Sequence, residues 1–309
     1  MSFFLVLVGL VLLFGGGELL VRGSVALARR MGVSEIAVGV VLVGFGTSAP
    51  ELLVSVEAAI LDHPDLALGN VLVSNIANIL LIVGVAAVVT PIRLSAGVGW
   101  RESAMVLVAT VLVTGLALTG SLGLWQGVVM LVALGGYLLV CWRRSGPEDV
   151  DGPEEEDGVA TTTLRACLLA FGGLALLVLG ADLLVDGAIV IARDMGVSEA
   201  TIGLTIVAVG SSLPELAAST VAAFRGKSSV AIGNVLGSNL FNLLGALGIA
   251  AIIVPVSTAG ADIRFSLLSM LALTGCFVAL VAARHVGRLI GMVFLALYAA
   301  FVAMQFAIA

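Results

Sequence analysis

Apolar segments follow one another along almost the whole chain, and this feature restricts the possible folds most strongly. A helix needs roughly 20 apolar residues to cross a bilayer. The sequence is 61% hydrophobic and only 11% charged, whereas soluble domains carry about 25% charged residues. We therefore predict an all-α membrane protein with ten transmembrane helices. Their predicted ranges are 3–29, 34–60, 66–89, 98–119, 122–142, 164–192, 198–224, 230–254, 263–283 and 286–308.

The distribution of Lys and Arg predicts how these helices are oriented. With the N-terminus outside, eleven cationic residues fall on the inner side and two on the outer side. Cytoplasmic loops carry the excess of Lys and Arg, so we expect both termini outside the plasma (cytoplasmic) membrane. The inner residues are Arg29, Arg30, Arg93, Arg101, Arg143, Arg144, Arg165, Arg225, Lys227, Arg284 and Arg288, and the outer ones are Arg193 and Arg264.

The sequence is also duplicated internally, at an offset of 164 residues. Residues 15–84 align without a gap on residues 179–248, with 32 identical positions among 70. Each copy holds five predicted helices, so the second copy must cross the membrane in the opposite sense. Inverted repeats are typical of secondary transporters, which bind their substrates between the repeats near the bilayer midplane. We predict two inverted five-helix repeats, 1–142 and 164–309.

The segment between the repeats, residues 143–163, is predicted to be an acidic cytoplasmic loop. We interpret it as a solvated linker. A cation-sensing segment is the alternative, but the loop lacks the ligand spacing of an EF-hand.

Two glutamates, Glu51 and Glu215, lie inside predicted helices 2 and 7 at equivalent positions of the duplication. A carboxylate in the bilayer core costs at least a few kcal/mol unless it is paired or hydrated. Each glutamate follows a proline, which lacks the backbone N–H that a helix needs. We therefore predict that helices 2 and 7 are broken there, which would expose backbone carbonyl oxygens. The hydroxyl residues beside the breaks are Thr47, Ser48, Ser211 and Ser212.

Predicted helices 3 and 8 each add a polar face, because residues four apart lie on the same side of a helix. These residues are Asn70, Ser74, Asn78, Asn234, Ser238 and Asn242. Carboxylate, hydroxyl and amide oxygens together form an all-oxygen ligand set that suits Ca²⁺ and Na⁺ better than transition metals. Two further intramembrane acids, Glu18 and Asp182, are interpreted as hydrogen-bonding a neighbouring helix end, with an ion entrance as the alternative.

Four motifs now identify a family resemblance: GTSAPE (46–51) with GNVLVSNIAN (69–78), and GSSLPE (210–215) with GNVLGSNLFN (233–242). They resemble the two α-repeats of the sodium/calcium exchanger family, in the cation/calcium antiporter superfamily, and the resemblance covers the whole chain. It implies a secondary active antiporter that exchanges Na⁺ for Ca²⁺ by alternating access and normally extrudes Ca²⁺.

The same resemblance implies which residues bind the ions. Glu51 and Glu215 would be the central ligands for Ca²⁺ and Na⁺, with carbonyl oxygens from Thr47 and Ser211. Residues implied to form flanking Na⁺ sites or to line the site are Ser48, Ser74, Asn78, Ala208, Ser212, Ser238 and Asn242. The sequence departs from the family pattern at Asn242, where several prokaryotic relatives carry Asp, and at Ser211, where Thr is more usual.

Other functions stay open or are disfavoured at this point. A Ca²⁺/H⁺ antiporter, a K⁺-dependent Na⁺/Ca²⁺ antiporter and a passive cation channel are the alternatives. An enzyme is not expected, because the sequence has no nucleophile–base constellation and no nucleotide-binding motif. We expect no cofactor besides the transported ions, and no partner besides membrane lipid. The net charge of −6, without a basic face, argues against binding to nucleic acid.

Overall fold

The computed structural model describes residues 2–95, 99–144, 162–197, 206, 208–259 and 261–308. Within these ranges the fold is helical except for four two-residue strands. The helices of the first half are α1 (Ser2–Met31), α2 (Glu35–Val38), α3 (Phe45–Thr47), α4 (Ala49–Ile60), α5 (Pro64–Ala77), α6 (Val83–Val89), α7 (Trp100–Ala117) and α8 (Leu124–Arg144). Those of the second half are α9 (Thr163–Asp194), α10 (Ala208–Gly210), α11 (Leu213–Phe224), α12 (Ser228–Leu240), α13 (Leu247–Ile253), α14 (Ala261–Ala282) and α15 (Arg288–Ile308). Short π-helical segments occupy Gly39–Gly44, Asn78–Ile82 and Phe241–Ala246.

Seven described helical stretches are long and apolar enough to span a membrane, and the pair Glu35–Thr47 and Ala49–Ile60 makes eight if it is counted as one bent span. Two more helices are apolar but too short to meet this length requirement: Leu213–Phe224 (α11) and the Arg288–Met304 part of α15. Two predicted features fall largely outside the described residues. They are the start of predicted helix 7, in residues 198–205, and most of the predicted loop, in residues 145–161. The all-helical membrane class is confirmed, and the count of ten helices stays a prediction.

The outer helices present apolar side chains on the surface, as an integral membrane protein requires. Phe3, Leu7, Val11 and Phe14 recur along one face of α1 and are between 59% and 73% exposed. An apolar stripe of this kind is favourable against lipid and unfavourable against water. In contrast, α12 is buried at every residue from Ser229 to its end. The centre of the molecule therefore lies around α12 and its repeat-equivalent, α5.

Helices α1 and α9 pack against each other in opposite directions. A Cβ atom added at Gly9 would lie 2.7 Å from the carbonyl oxygen of Gly180, and one added at Gly16 would lie 2.8 Å from that of Gly173. Residue numbers rise along α1 while those of their neighbours fall along α9, so the helices are antiparallel. Small residues at such a crossing allow two backbones to touch within a membrane.

Two short antiparallel ribbons join the halves of the chain. Strand β1 (Ile92–Arg93) pairs with β4 (His285–Val286), and β2 (Ser121–Leu122) pairs with β3 (Val256–Ser257). The 164-residue offset relates β1 to β3 and β2 to β4, so the two ribbons are equivalent under the duplication. These strands are not predicted by sequence pattern, because two residues are too few to show an alternation.

The first helix break is placed beside α12 by a second glycine contact. A Cβ atom added at Gly44 would lie 2.8 Å from Cα of Gly237 and 2.9 Å from the carbonyl oxygen of Asn234. The backbone of the π-helical segment Gly39–Gly44 therefore lies directly on α12. This contact brings the GTSAPE segment of the first half onto the polar face of α12 in the second half.

Candidate cation-binding site

Regular helical geometry is interrupted at Ser48 and at Ser212. Both residues leave helical geometry, with φ −83° and ψ 7° at Ser48 and φ −89° and ψ 5° at Ser212. The chain bends by 44° at the first break. Helices α4 and α11 begin at the next residue, one position before the proline and slightly earlier than the sequence predicted. Each glutamate consequently lies in the first turn of a helix, where the helix dipole favours a negative charge.

The two glutamates are held by hydroxyl groups from opposite halves. Ser48 Oγ donates to Glu215 Oε1 at 3.0 Å, and Ser212 Oγ donates to Glu51 Oε1 at 3.4 Å. Glu51 and Glu215 are each only 1% exposed. Within the described part of the chain, the second carboxylate oxygen of each residue, Oε2, has no hydrogen-bond partner. The structure thus brings together two buried carboxylates, each with one oxygen available to a cation.

An asparagine behind each glutamate anchors the broken helix to its neighbour. Asn70 Nδ2 donates to the backbone carbonyl of Glu51 at 3.1 Å and to Ser55 Oγ at 2.9 Å. Asn234 Nδ2 makes the equivalent bonds, to the Glu215 carbonyl at 3.1 Å and to Ser219 Oγ at 2.8 Å. These amides donate to the protein, so their role is to hold the glutamate backbone in place. This anchoring role explains why Asn70 and Asn234 lie on the predicted polar faces.

A second network surrounds Thr47. Its hydroxyl donates to Asn234 Oδ1 at 3.1 Å, and Ser238 Oγ donates to the carbonyl oxygen of Gly44 at 3.2 Å. The Thr47 and Ser238 hydroxyl oxygens lie 3.4 Å apart. All three side chains are fully buried. Hydroxyl oxygens that donate to the protein keep lone pairs for a cation, so this network is compatible with the predicted Na⁺ site.

Asn78 and Asn242 lie in π-helical segments beside the opposite glutamates. Asn78 begins the segment that packs on α11, which carries Glu215, and Asn242 lies in the segment that packs on α4, which carries Glu51. Both asparagines are buried. π-Helical turns frequently occur at functional sites, and here they pack against the two helices that carry the glutamates.

Fewer contacts are described for the remaining predicted site residues. Ser74 is buried on α5, and Ser211 is half-buried and approaches the Glu51 carboxylate. Ala208 begins α10, and its role as a carbonyl ligand stays a prediction. Among the described residues there is no group of three or more His, Cys, Asp or Glu side chains. The glutamates are therefore an acidic pair and not part of a larger acidic cluster.

Two ion pairs between the halves were not found from the sequence. Glu18 on α1 pairs with Arg22 and with Arg225, the residue that follows α11, which agrees with its interpretation as a partner for a neighbouring helix end. Lys227 Nζ donates to Glu35 Oε1 at 3.3 Å, and both residues are buried. The duplication could not reveal this second pair, because the residue equivalent to Lys227 is His63.

Comparison with known proteins now identifies the family. The family model described as sodium/calcium exchanger protein matches residues 1–143 and 165–307, which is nearly the entire chain. This chain belongs to the sodium/calcium exchanger family. The exchanger is therefore an integral membrane protein of a transporter family, and the resemblance stated from its motifs is confirmed.

Individual relatives agree with this assignment. The exchanger is 34% identical over 263 residues to inner membrane protein YrbG of Escherichia coli, covering 81% of this chain and 79% of that protein. It is 29% identical over 348 residues to sodium/calcium exchanger MaX1 of Methanosarcina acetivorans, covering 99% and 98%. Its fold is similar to the solved structure of the sodium-calcium exchanger NCX_Mj soaked with zero Na⁺ and Ca²⁺, with a TM-score of 0.85 and 31% identity over 98% of both chains.

Proposed function

We propose that this exchanger is a secondary active antiporter that exchanges Na⁺ for Ca²⁺ across the membrane and normally extrudes Ca²⁺. The buried pair of glutamates is the observation that supports this function most directly. Two carboxylates from the two halves carry a combined charge of about −2 when ionised, which one Ca²⁺ neutralises. A pair of buried charges without a compensating cation would be strongly unfavourable, so a site of this kind favours occupancy by cations.

The donor set explains why Na⁺ and Ca²⁺ would share one site. Glu51 and Glu215, with carbonyl oxygens of Thr47 and Ser211, would bind Ca²⁺, while the flanking hydroxyl and amide residues would help to bind Na⁺. These donors are Ser48, Ser74, Asn78, Ser212, Ser238 and Asn242, with the carbonyl of Ala208. Both ions need the same two carboxylates, so binding of one disfavours the other. Mutually exclusive binding combined with alternating access produces antiport.

Alternating access would use the inverted architecture, with ten helices in two five-helix repeats and helices 2 and 7 broken at the site. Helix α9 lies against both breaks: Leu174 Cδ2 would be 2.9 Å from a Cβ atom added at Gly46, and Val185 Cγ2 would be 2.6 Å from one at Gly210. Glycines facing apolar side chains give a contact without hydrogen bonds. We infer that the antiparallel pair α1–α9 slides past the breaks and opens the site to each side in turn.

The test of function is Ca²⁺ uptake into proteoliposomes that contain the purified exchanger. An outward gradient of Na⁺, K⁺ or H⁺ is imposed in turn, and Na⁺ alone is expected to drive accumulation of Ca²⁺ above its external concentration. Uptake driven only by H⁺, or only when K⁺ accompanies Na⁺, would replace the proposal by one of the two other antiport modes. Uptake that never exceeds equilibration would identify a passive channel.

Orientation is tested separately. We propose that both termini are outside and that residues 143–163 are cytoplasmic, on the strength of the Lys and Arg distribution. After replacement of Cys141, Cys167 and Cys276, a Glu155→Cys variant should resist an impermeant thiol reagent added to intact cells. Asp62→Cys, at an exposed position after α4, should react as the control. The reverse pattern would contradict the proposed orientation.

A further inference from the structure

The two halves of the molecule treat equivalent asparagines differently. In one direction, Asn78 Nδ2 donates to Asn239 Oδ1 at 2.9 Å. The duplication predicts the equivalent bond from Asn242 Nδ2 to Asn75 Oδ1, but Asn75 Oδ1 has no hydrogen-bond partner in the described ranges, while Asn75 Nδ2 donates to the backbone carbonyl of Val71 at 2.7 Å. Among the described residues, neither side-chain polar atom of Asn242 has a hydrogen-bond partner.

This difference matters because an asparagine amide has two unlike ends. Its oxygen is a ligand for Na⁺ or Ca²⁺, whereas its NH₂ group carries partial positive charge and repels a cation. The two ends are nearly the same size, so packing alone does not select between them. A fixed hydrogen-bond acceptor beside the NH₂ group selects the orientation in which the oxygen faces the other way.

Asn239 supplies such an acceptor for Asn78. Both residues are buried, at 1% exposure each, and the bond joins α12 of the second half to the π-helical segment of the first. With its NH₂ group bound to Asn239, Asn78 retains an oxygen that is buried and has no hydrogen-bond partner in the described ranges. A buried oxygen left without a partner is costly in an apolar interior, and a bound cation would remove that cost.

We propose that Asn239 is a positioning residue, which fixes the amide of Asn78 so that its oxygen faces the cations. Asn75 does not do the same for Asn242, because its Oδ1, the atom equivalent to the acceptor on Asn239, makes no hydrogen bond to Asn242 within the described ranges. The amide of Asn242 is consequently not oriented by a hydrogen bond within the described ranges, and we expect a bound cation to orient its oxygen. The inference rests on the proposed function, since it assumes that Asn78 lines the ion site.

The test compares Asn239→Ala with Asn75→Ala, which removes an equally buried residue at the equivalent position of the other half. Outer residues that orient a metal ligand typically contribute about 10- to 100-fold to metal affinity. The Ca²⁺ concentration for half-maximal Na⁺-driven uptake should rise about tenfold in Asn239→Ala and less than about twofold in Asn75→Ala. Should the alanine variant not fold, Asn239→Ser takes its place, because its side chain is too short to reach Asn78.

An Asn78→Asp background separates positioning from a merely structural role. A carboxylate presents oxygen at both ends, so it has no need of Asn239, and the effect of Asn239→Ala should fall below about twofold there. A shift that persists in this background, or equal shifts in Asn239→Ala and Asn75→Ala, would overturn the proposal. If Asn78→Ala itself leaves Ca²⁺ affinity unchanged, the proposed ion site is wrong at Asn78, which is a separate failure.

Discussion

The two halves of this exchanger make equivalent hydrogen bonds around the glutamates. They differ one and two turns beyond the asparagines that anchor the glutamate backbone. Around Glu51 and Glu215, the serine of the opposite half and the asparagine behind each residue make the same hydrogen bonds twice. Further along the chain from the anchoring asparagines, Asn78 donates to Asn239, while Asn242 makes no equivalent bond within the described residues. The halves also differ at α1, where Glu18 is paired with arginines.

The comparison suggests which positions the transport cycle uses in both orientations. In the proposed alternating-access mechanism, the site opens to either side and must present its carboxylates equally to both sides. Positions that only one half needs are free to diverge. We therefore expect paired substitutions at the glutamates to have equal effects, and paired substitutions at the divergent positions to have unequal effects.

The largest effect is expected at the glutamates. Glu51→Gln and Glu215→Gln should each reduce Na⁺-driven Ca²⁺ uptake by at least about 100-fold, because a single carboxylate leaves a buried divalent ion half-compensated in a medium of low dielectric. Uptake of radioactive Ca²⁺ into proteoliposomes measures this loss. A thermal unfolding curve of each purified variant controls for loss of fold. Near-normal uptake in either one would show that the two carboxylates are not a functional pair.

A weaker effect is expected from Asn242→Asp, which adds an ionisable group in the half whose amide is unconstrained. Towards the acid end of a titration from about pH 5 to 9, where the new carboxyl is protonated, uptake should match that of the parent. At pH 9 it is ionised, holds Ca²⁺ more tightly and should slow release about tenfold, equivalent to roughly 1.4 kcal/mol. The measurement is the ratio of variant to parent uptake between these pH values. A constant ratio would place position 242 outside the electrostatic reach of the site.

Stability should decrease in both halves when the anchoring asparagines are removed, and more strongly at Asn234. Asn70→Ala and Asn234→Ala each leave a backbone carbonyl and a serine hydroxyl without their donor, which costs about 1–3 kcal/mol for a buried group. We expect the midpoint of thermal unfolding in detergent to fall for both variants, and further for Asn234→Ala, because Thr47 also donates to Asn234 Oδ1. A decrease in only one of the two variants would show that the equivalent hydrogen bonds do not stabilise both halves.

The smallest effect is expected at Glu18. Its partners Arg22 and Arg225 have side chains 54% and 41% exposed, and exposed ion pairs contribute about 0.2–1 kcal/mol. Glu18→Gln should change the initial rate of exchange by less than about fivefold, and the change should shrink at high ionic strength. Asp182→Asn is the control in the other half, because Asp182 is exposed and forms no ion pair within the described ranges. Equal changes in both variants would contradict a specific role for the Glu18 pairs.

The sequence predicted the parts of this structure that depend on local pattern or on the duplication. Helix α1 ends within two residues of its predicted range, because a long apolar run has few other conformations in a membrane. The site could be predicted at Glu51, Glu215 and the serines beside them, because polar residues are rare inside membrane helices and these recur at equivalent positions of the duplication. Asn75 and Asn239 also match at the same offset, but they lie off the four-residue polar face and were therefore missed.

The remaining features depend on contacts between the halves, which an offset in sequence does not specify. The duplication relates Ser48 to Ser212, but it does not say whether each hydroxyl reaches the glutamate of its own half or of the other. The pairing of Glu35 with Lys227 and the two ribbons depend in the same way on how the halves dock. Such contacts follow from tertiary packing, and local propensity carries no information about them.

The ribbons and the antiparallel pair α1–α9 have a consequence for biosynthesis. Strand β1 is synthesised long before its partner β4, and the glycine face of α1 has no partner until α9 has been made. During that interval Glu51 is in the membrane without the hydroxyl of Ser212, which donates to it in the finished molecule. Non-local contacts of this kind slow folding and prolong the lifetime of incomplete intermediates. The second half therefore completes the fold, and Glu51 lacks its Ser212 donor until that half has been made.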